Sequence, residues 1–163
     1  MKNMKSTLMY LLNIILAVLT FVFLSQSYIA FDIVGRNLGN VTGYDIIGNY
    51  FEGNGTQVMM ALSNLIVAII AGLVILTSIY CLLATSGVIK KPKAFGLIKT
   101  ITTLLSIASL VFAAISLFCT IGEISDLSQG DTGYKIGWAI IVNLVLSVIL
   151  PISSFLGAKF SKK

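Results

Sequence analysis

Histidine is missing from this chain, and charge is scarce: eleven basic and six acidic residues stand among 163. A soluble domain is nearer a quarter charged, so a composition 10% charged and 57% hydrophobic belongs to the membrane class. Without histidine, and with only Cys81 and Cys119 as thiols, the residue types that hold zinc or haem are lacking. No cofactor or metal is expected. Catalysis inside a membrane leans on ionisable groups, a nucleophile–base pair or metal ligands, and the apolar runs offer none of these sets. The expectation is therefore a protein that is not an enzyme. Proline is almost absent too, with only Pro92 and Pro151, so little interrupts the apolar runs.

Four runs dominate what is present: Ser6–Ala30, Gln57–Ala84, Ile98–Gly122 and Ile136–Leu156. None contains an acid or a histidine. Each exceeds the roughly 20 residues that cross a hydrocarbon core, and in lipid the backbone must satisfy its own hydrogen bonds, so each is read as a helix. The first run has the basic start and the "SQS" of a secretory signal. Its apolar core, Leu8–Leu24, exceeds the roughly 7–15 residues usual for such signals, and a retained helix is expected. The fold expected is all-α: one polytopic membrane domain, residues 1–163, with helices at about 6–30, 57–84, 98–122 and 136–156. Outer loops take 31–56 and 123–135, and a basic inner loop takes 85–97.

Charge sets the expected orientation. Lys2, Lys5, Lys90, Lys91, Lys93, Lys99, Lys159, Lys162 and Lys163 fall on one side with no acid among them. Arg36, Lys135 and all six acids (Asp32, Asp45, Glu52, Glu123, Asp126, Asp131) fall on the other. Lysine-rich segments stay in the cytoplasm, so both termini are expected inside a cell (plasma) membrane. Lys90, Lys91, Lys93 and Lys99 form a candidate patch for anionic lipid or a partner; the competing reading is a topology signal alone. Nucleic-acid binding finds no recognition motif here. Cys81 and Cys119 fall near opposite ends of neighbouring helices, too far apart for a disulfide. Pro151 frees the carbonyl of Ser147 and is expected to kink the fourth helix, whereas Pro92 is expected to keep any helix from running through the inner loop.

Small and polar residues recur at spacings of three and four. The third run has Thr102, Ser106, Ser109, Ala113, Ser116 and Thr120. The second has Ala61, Asn64, Ala68, Ala71 and Ser78; the first Asn13, Ala17, Thr20 and Ser27; the fourth Asn143, Ser147, Ser154 and Gly157. A period near 3.5 keeps one seam facing its partners in a left-handed antiparallel bundle, and small side chains let membrane helices approach closely. Asn64 and Asn143 start at matching depth and are expected to hydrogen-bond across that seam, the alternative being a polar ligand or water pocket.

The first outer loop is broken by glycines yet rich in apolar residues, so it is expected to lie as a cap on the bundle, with Tyr134 and Trp138 at the membrane interface. "TGY" occurs at Thr42–Tyr44 and again at Thr132–Tyr134, which raises two readings: a duplicated helical hairpin, or chance echo marking membrane re-entry. The loop acids are expected to be solvated. The segment "GYDIIG", Gly43–Gly48, resembles loops of small uncharacterised four-span membrane proteins of low-GC bacteria. That resemblance implies four spans and no activity. The functional expectation is a structural, assembly or accessory component, in contact with the bilayer and with a membrane-protein partner or further copies of itself. The alternative is an oligomeric channel or small-solute pore subunit.

Overall fold

The computed structural model describes residues 4–33, 36–91, 93–127 and 133–161. Its order is α1 (Met4–Leu24), β1 (Ser27–Ile33), β2 (Arg36–Thr42), α2 (Gly43–Asn49), a 3-10 turn (Tyr50–Glu52), α3 (Gly55–Ser86), α4 (Phe95–Leu127), β3 (Gly133–Ile136) and α5 (Trp138–Phe160). Helices α1, α3, α4 and α5 are long and apolar enough to cross a membrane, with mean hydropathies of 2.4 to 2.7.

The four helices pack as a bundle, each of α1 and α4 lying against both α3 and α5. Contacts climb one helix as they descend its neighbour: Ser6 meets Gly157 and Asn13 meets Ser154, while Asn64 meets Ser116 and Gln57 meets Glu123. One end of the bundle therefore carries Lys5, Lys90, Lys91, Lys93, Lys99 and Lys159, and the other carries the strands.

The radial arrangement inverts that of a soluble protein. Leu8, Leu11, Ile15, Val18 and Val22 of α1 are between 44% and 51% exposed, while Ser6, Asn13 and Thr20 on the same helix are at most 2% exposed. In water so much outward apolar surface would aggregate; against lipid it is at home, and the small polar face carries the packing.

The expected all-α fold needs correction, because the segments that link α1 to α3 and α4 to α5 form a three-stranded sheet of order β2-β1-β3. Both pairings are antiparallel, with Phe31 opposite Gly39 on one side and Tyr134 on the other. Helix α1 stops at Leu24, so Ser27–Ala30, assigned from the apolar run to the first helix, are strand. A tight turn ends the helix, where the Ser25 hydroxyl and amide both return to the Val22 carbonyl. The strand is stabilised by pairing with β3, more than a hundred residues away, and no local signal announces such a partner.

Helix α3 has firm ends. Asn54 and Gln57 form a reciprocal capping box at its start, and Gly87 closes it at φ 86°, where a residue without Cβ is unstrained. α3 and α4 have 32 and 33 residues against 21 and 23 for α1 and α5. They outreach their partners, and α2 and the 3-10 turn rest on α3 beside the sheet. α5 runs on as helix through Pro151. Pro92 and its expected helix-breaking role lie outside the described residues.

The two "TGY" words do different work. Thr42 caps α2, with its hydroxyl accepting from the Asp45 amide at 3.1 Å and the Asp45 carboxylate returning to the Thr42 amide at 2.9 Å. The second word, as far as it is described, is strand β3. Those bonds hold the Asp45 carboxyl below the ordinary carboxylate range, the backbone bond from Thr42 contributing most. The group's folded value is depressed, so its stabilisation is complete above the ordinary carboxylate value and is lost as pH falls through the depressed one. Acidification is expected to fray α2 before the long helices open. The measurement is amide exchange at Ile46 and Ile47, whose protection is expected to fall with acid ahead of that of α3, a pH dependence that Asp45→Asn is expected to remove.

Candidate functional site

The seam is the interior of the bundle. Every member of the α4 stripe is buried, from Thr102 and Ser106 at 0% exposure to Ala113 at 6%. The pattern continues in both directions with the same spacing, to Lys99 at 9% and Glu123 at 2%. From Lys99 to Glu123 the helix rises about 36 Å, at about 1.5 Å per residue, slightly more than a hydrocarbon core. The stripe thus begins and ends with an ionisable residue, the two about one membrane thickness apart.

Side chains of the seam are satisfied mostly by one another. At the lysine end the Lys99 ammonium donates to the Ser161 hydroxyl at 2.9 Å and lies 4.9 Å from the centre of the Phe95 ring, with Lys91 over the same ring at 5.7 Å. Lys90, Lys91 and Lys93 are exposed. Between α4 and α5 an open cleft of about 490 Å³ is lined by Gly96, Lys99, Thr100, Thr103, Phe155 and Ala158.

One layer further in, Asn13 of α1 donates to Ser154 at 2.9 Å and accepts from Ser153. Ser154 in turn shares a hydrogen bond with Ser106 of α4 at 2.8 Å. Ser109 and Ser147 approach within 3.5 Å.

Asn64 and Asn143 take different partners, not each other. Asn64 accepts from Ser116 at 2.9 Å and donates to the Met60 carbonyl at 3.0 Å, bonds that join α3 to α4 and to its own preceding turn. Asn143 donates to the Tyr28 hydroxyl, a bond from α5 to β1. Tyr28 falls within the first apolar run, so the sequence gives no sign of it as a partner. It sits where the β1–β2 register shifts between Ser27 and Ile29, an extra residue that breaks the alternation of the strand. Tyr28 and Ile29 are consequently both buried, and the phenol enters the bundle. Burial raises its pKa well above the ordinary tyrosine value, opposed by the bond to Asn143.

Glu123 also departs from expectation. Expected among the solvated loop acids, it lies in α4 at 2% exposure, with Oε1 accepting from Gln57 at 2.6 Å. Its Oε2 has no hydrogen-bond partner among the described residues. Tyr50 in the 3-10 turn has its pKa raised by burial first and by the Glu123 charge second. The signal that places Glu123 inside is the stripe itself, three residues beyond Thr120. Asp45 is exposed, and its carboxylate serves the cap of α2. Among the described residues no three of His, Cys, Asp or Glu gather as metal ligands. Cys81 of α3 and Cys119 of α4 are both free.

No protein-family model, curated protein or solved structure matches this chain. The functional reading rests on its own geometry.

Proposed function

We propose that the protein is a non-catalytic integral component of the cell membrane with a structural, assembly or accessory role. In this reading the four helices form one left-handed antiparallel domain, with the lysine end and both termini in the cytoplasm and the sheet outside. The observation that carries it is the closure of the interior. Most interior hydroxyls and amides, among them those of Ser6, Asn13, Ser106, Ser116 and Gln57, are spent on partners within the chain. Only scattered atoms such as the Tyr10 and Ser78 hydroxyls are without one among the described residues, as in a self-packed bundle rather than a water-filled conduit. The exposed Lys90, Lys91 and Lys93, with Lys99 and the cleft beside it, then serve anionic lipid headgroups or a membrane-protein partner, each lysine near the surface contributing about 1 kcal/mol.

Reconstitution distinguishes this reading from an oligomeric channel. Liposomes containing the purified protein are expected to hold potassium and small-solute gradients as long as empty ones do. Rapid collapse of either gradient, together with ring-shaped oligomers in mild detergent, would replace the accessory reading with the pore. Reporter tags at either terminus that label from outside would reverse the orientation.

A further inference from the structure

Asn143 is 2% exposed, and only one end of its amide is occupied: Nδ2 donates to the Tyr28 hydroxyl, while Oδ1 has no partner among the described residues. Rotating the amide by half a turn only exchanges which end is stranded. Leaving a buried amide group unpaired typically lowers a folding equilibrium by tenfold or more, and native interiors seldom tolerate it. Beside Asn143 lies a cavity lined by Tyr28, Asn64, Val67, Ala113, Ser116 and Ile140. It measures about 10 Å³ in water-centre volume, and one water needs roughly 10–15 Å³ by the same measure along with two to four polar partners.

Those partners are present. Tyr28 receives the bond from Asn143, so its own hydroxyl proton remains available to donate. Asn64 has used one amide N–H on the Met60 carbonyl and keeps the second. Ser116 donates to Asn64 and keeps acceptor capacity on its oxygen. We infer that one ordered water occupies this cavity, donates to Asn143 Oδ1 and Ser116 Oγ, and accepts from both Tyr28 and Asn64. The water joins β1, α3, α4 and α5 at a single point, and so couples Asn64 to Asn143 although the two side chains do not touch. This site goes beyond the accessory role and does not depend on it.

Ala113 is the handle, because a larger side chain there competes with the water for space. In the full chain in nanodiscs, Ala113→Val is expected to lower the folding equilibrium constant about tenfold, since it expels the water and strands the Asn143 amide. In an Asn143→Leu background the same change is expected to have little effect. A dry cavity would behave oppositely, with Ala113→Val filling a void and stabilising the protein. Stabilisation, or an equal effect in both backgrounds, overturns the water. The wild type supplies an independent readout should the variant fail to fold. A high-resolution density map is expected to show an isolated peak within hydrogen-bond distance of the Asn143 amide, and an empty cavity there overturns the proposal.

Discussion

Replacing Gly137 by alanine is expected to destabilise the protein by about 3 kcal/mol or more, among the largest effects of any single methyl group in this chain. A Cβ at this position would stand 2.1 Å from the Ser27 carbonyl oxygen, 2.5 Å from its carbon and 2.7 Å from the Tyr28 carbonyl carbon. All three atoms are backbone, so no side-chain rotation relieves the clash. Gly137 also donates its amide to the Tyr28 carbonyl at 2.7 Å, at the point where β3 hands over to α5. Pushing the strands apart would therefore disturb that bond, the Ile29–Ile136 pairing and the seat of Tyr28 together. Equilibrium unfolding in mixed detergent micelles measures the loss. Gly43→Ala is the comparison: a Cβ there meets Leu24 Cδ2 at 2.8 Å and the Leu24 backbone oxygen only at 3.0 Å, a milder approach for which a smaller loss is expected. A Gly137→Ala protein within about 0.5 kcal/mol of the parent would show that the close approach is not real.

Asn13→Leu is expected to cost about 2–3 kcal/mol, although leucine has similar bulk and is the more natural residue in lipid. Asn13 is fully buried and links α1 to Ser153 and Ser154 of α5, and Ser154 passes the connection to Ser106 of α4. Single interhelical hydrogen bonds in membranes are worth roughly 0.6–2 kcal/mol, and this substitution removes two at once. Both serines also contact other groups, Ser153 the Leu150 carbonyl and Ser154 Ser106, which limits the damage. The diagnostic measurement is a double-mutant cycle of Asn13→Leu with Ser154→Ala. The pair is expected to lose less than the two single losses combined, and strict additivity would mean that Asn13 and Ser154 do not act on each other.

These two positions differ in how far the sequence announces them. Asn13 stands on a stripe whose spacing marks it as inward-facing, and burial follows from that period alone. The same stripe on α4, extended by one step each way, places Lys99 and Glu123 inside as well. What the stripe does not reveal is the choice of partner. Asn64 and Asn143 have matching depth, yet the helices bring Asn64 to Ser116, while a strand brings Tyr28 to Asn143. Gly137 gave no sign at all, because its importance lies in a backbone from the opposite loop. The paired "TGY" words show the same limit: Gly43 and Tyr44 open a helix, whereas Gly133 and Tyr134 lie in a strand, according to what lies beside them.

The sequence alone determined four apolar helices, the separation of most lysines from the acids, and the inward face of each helix. Those properties depend on transfer of side chains between water and hydrocarbon and on helical periodicity, both local to the chain. Only the tertiary structure decided that the loops pair as a sheet, that a bulge sends Tyr28 into the bundle, and that Gln57 is the partner of Glu123. Strand pairing and hydrogen-bond choice join residues a hundred positions apart, and their free energy exists only once the helices have brought those residues together.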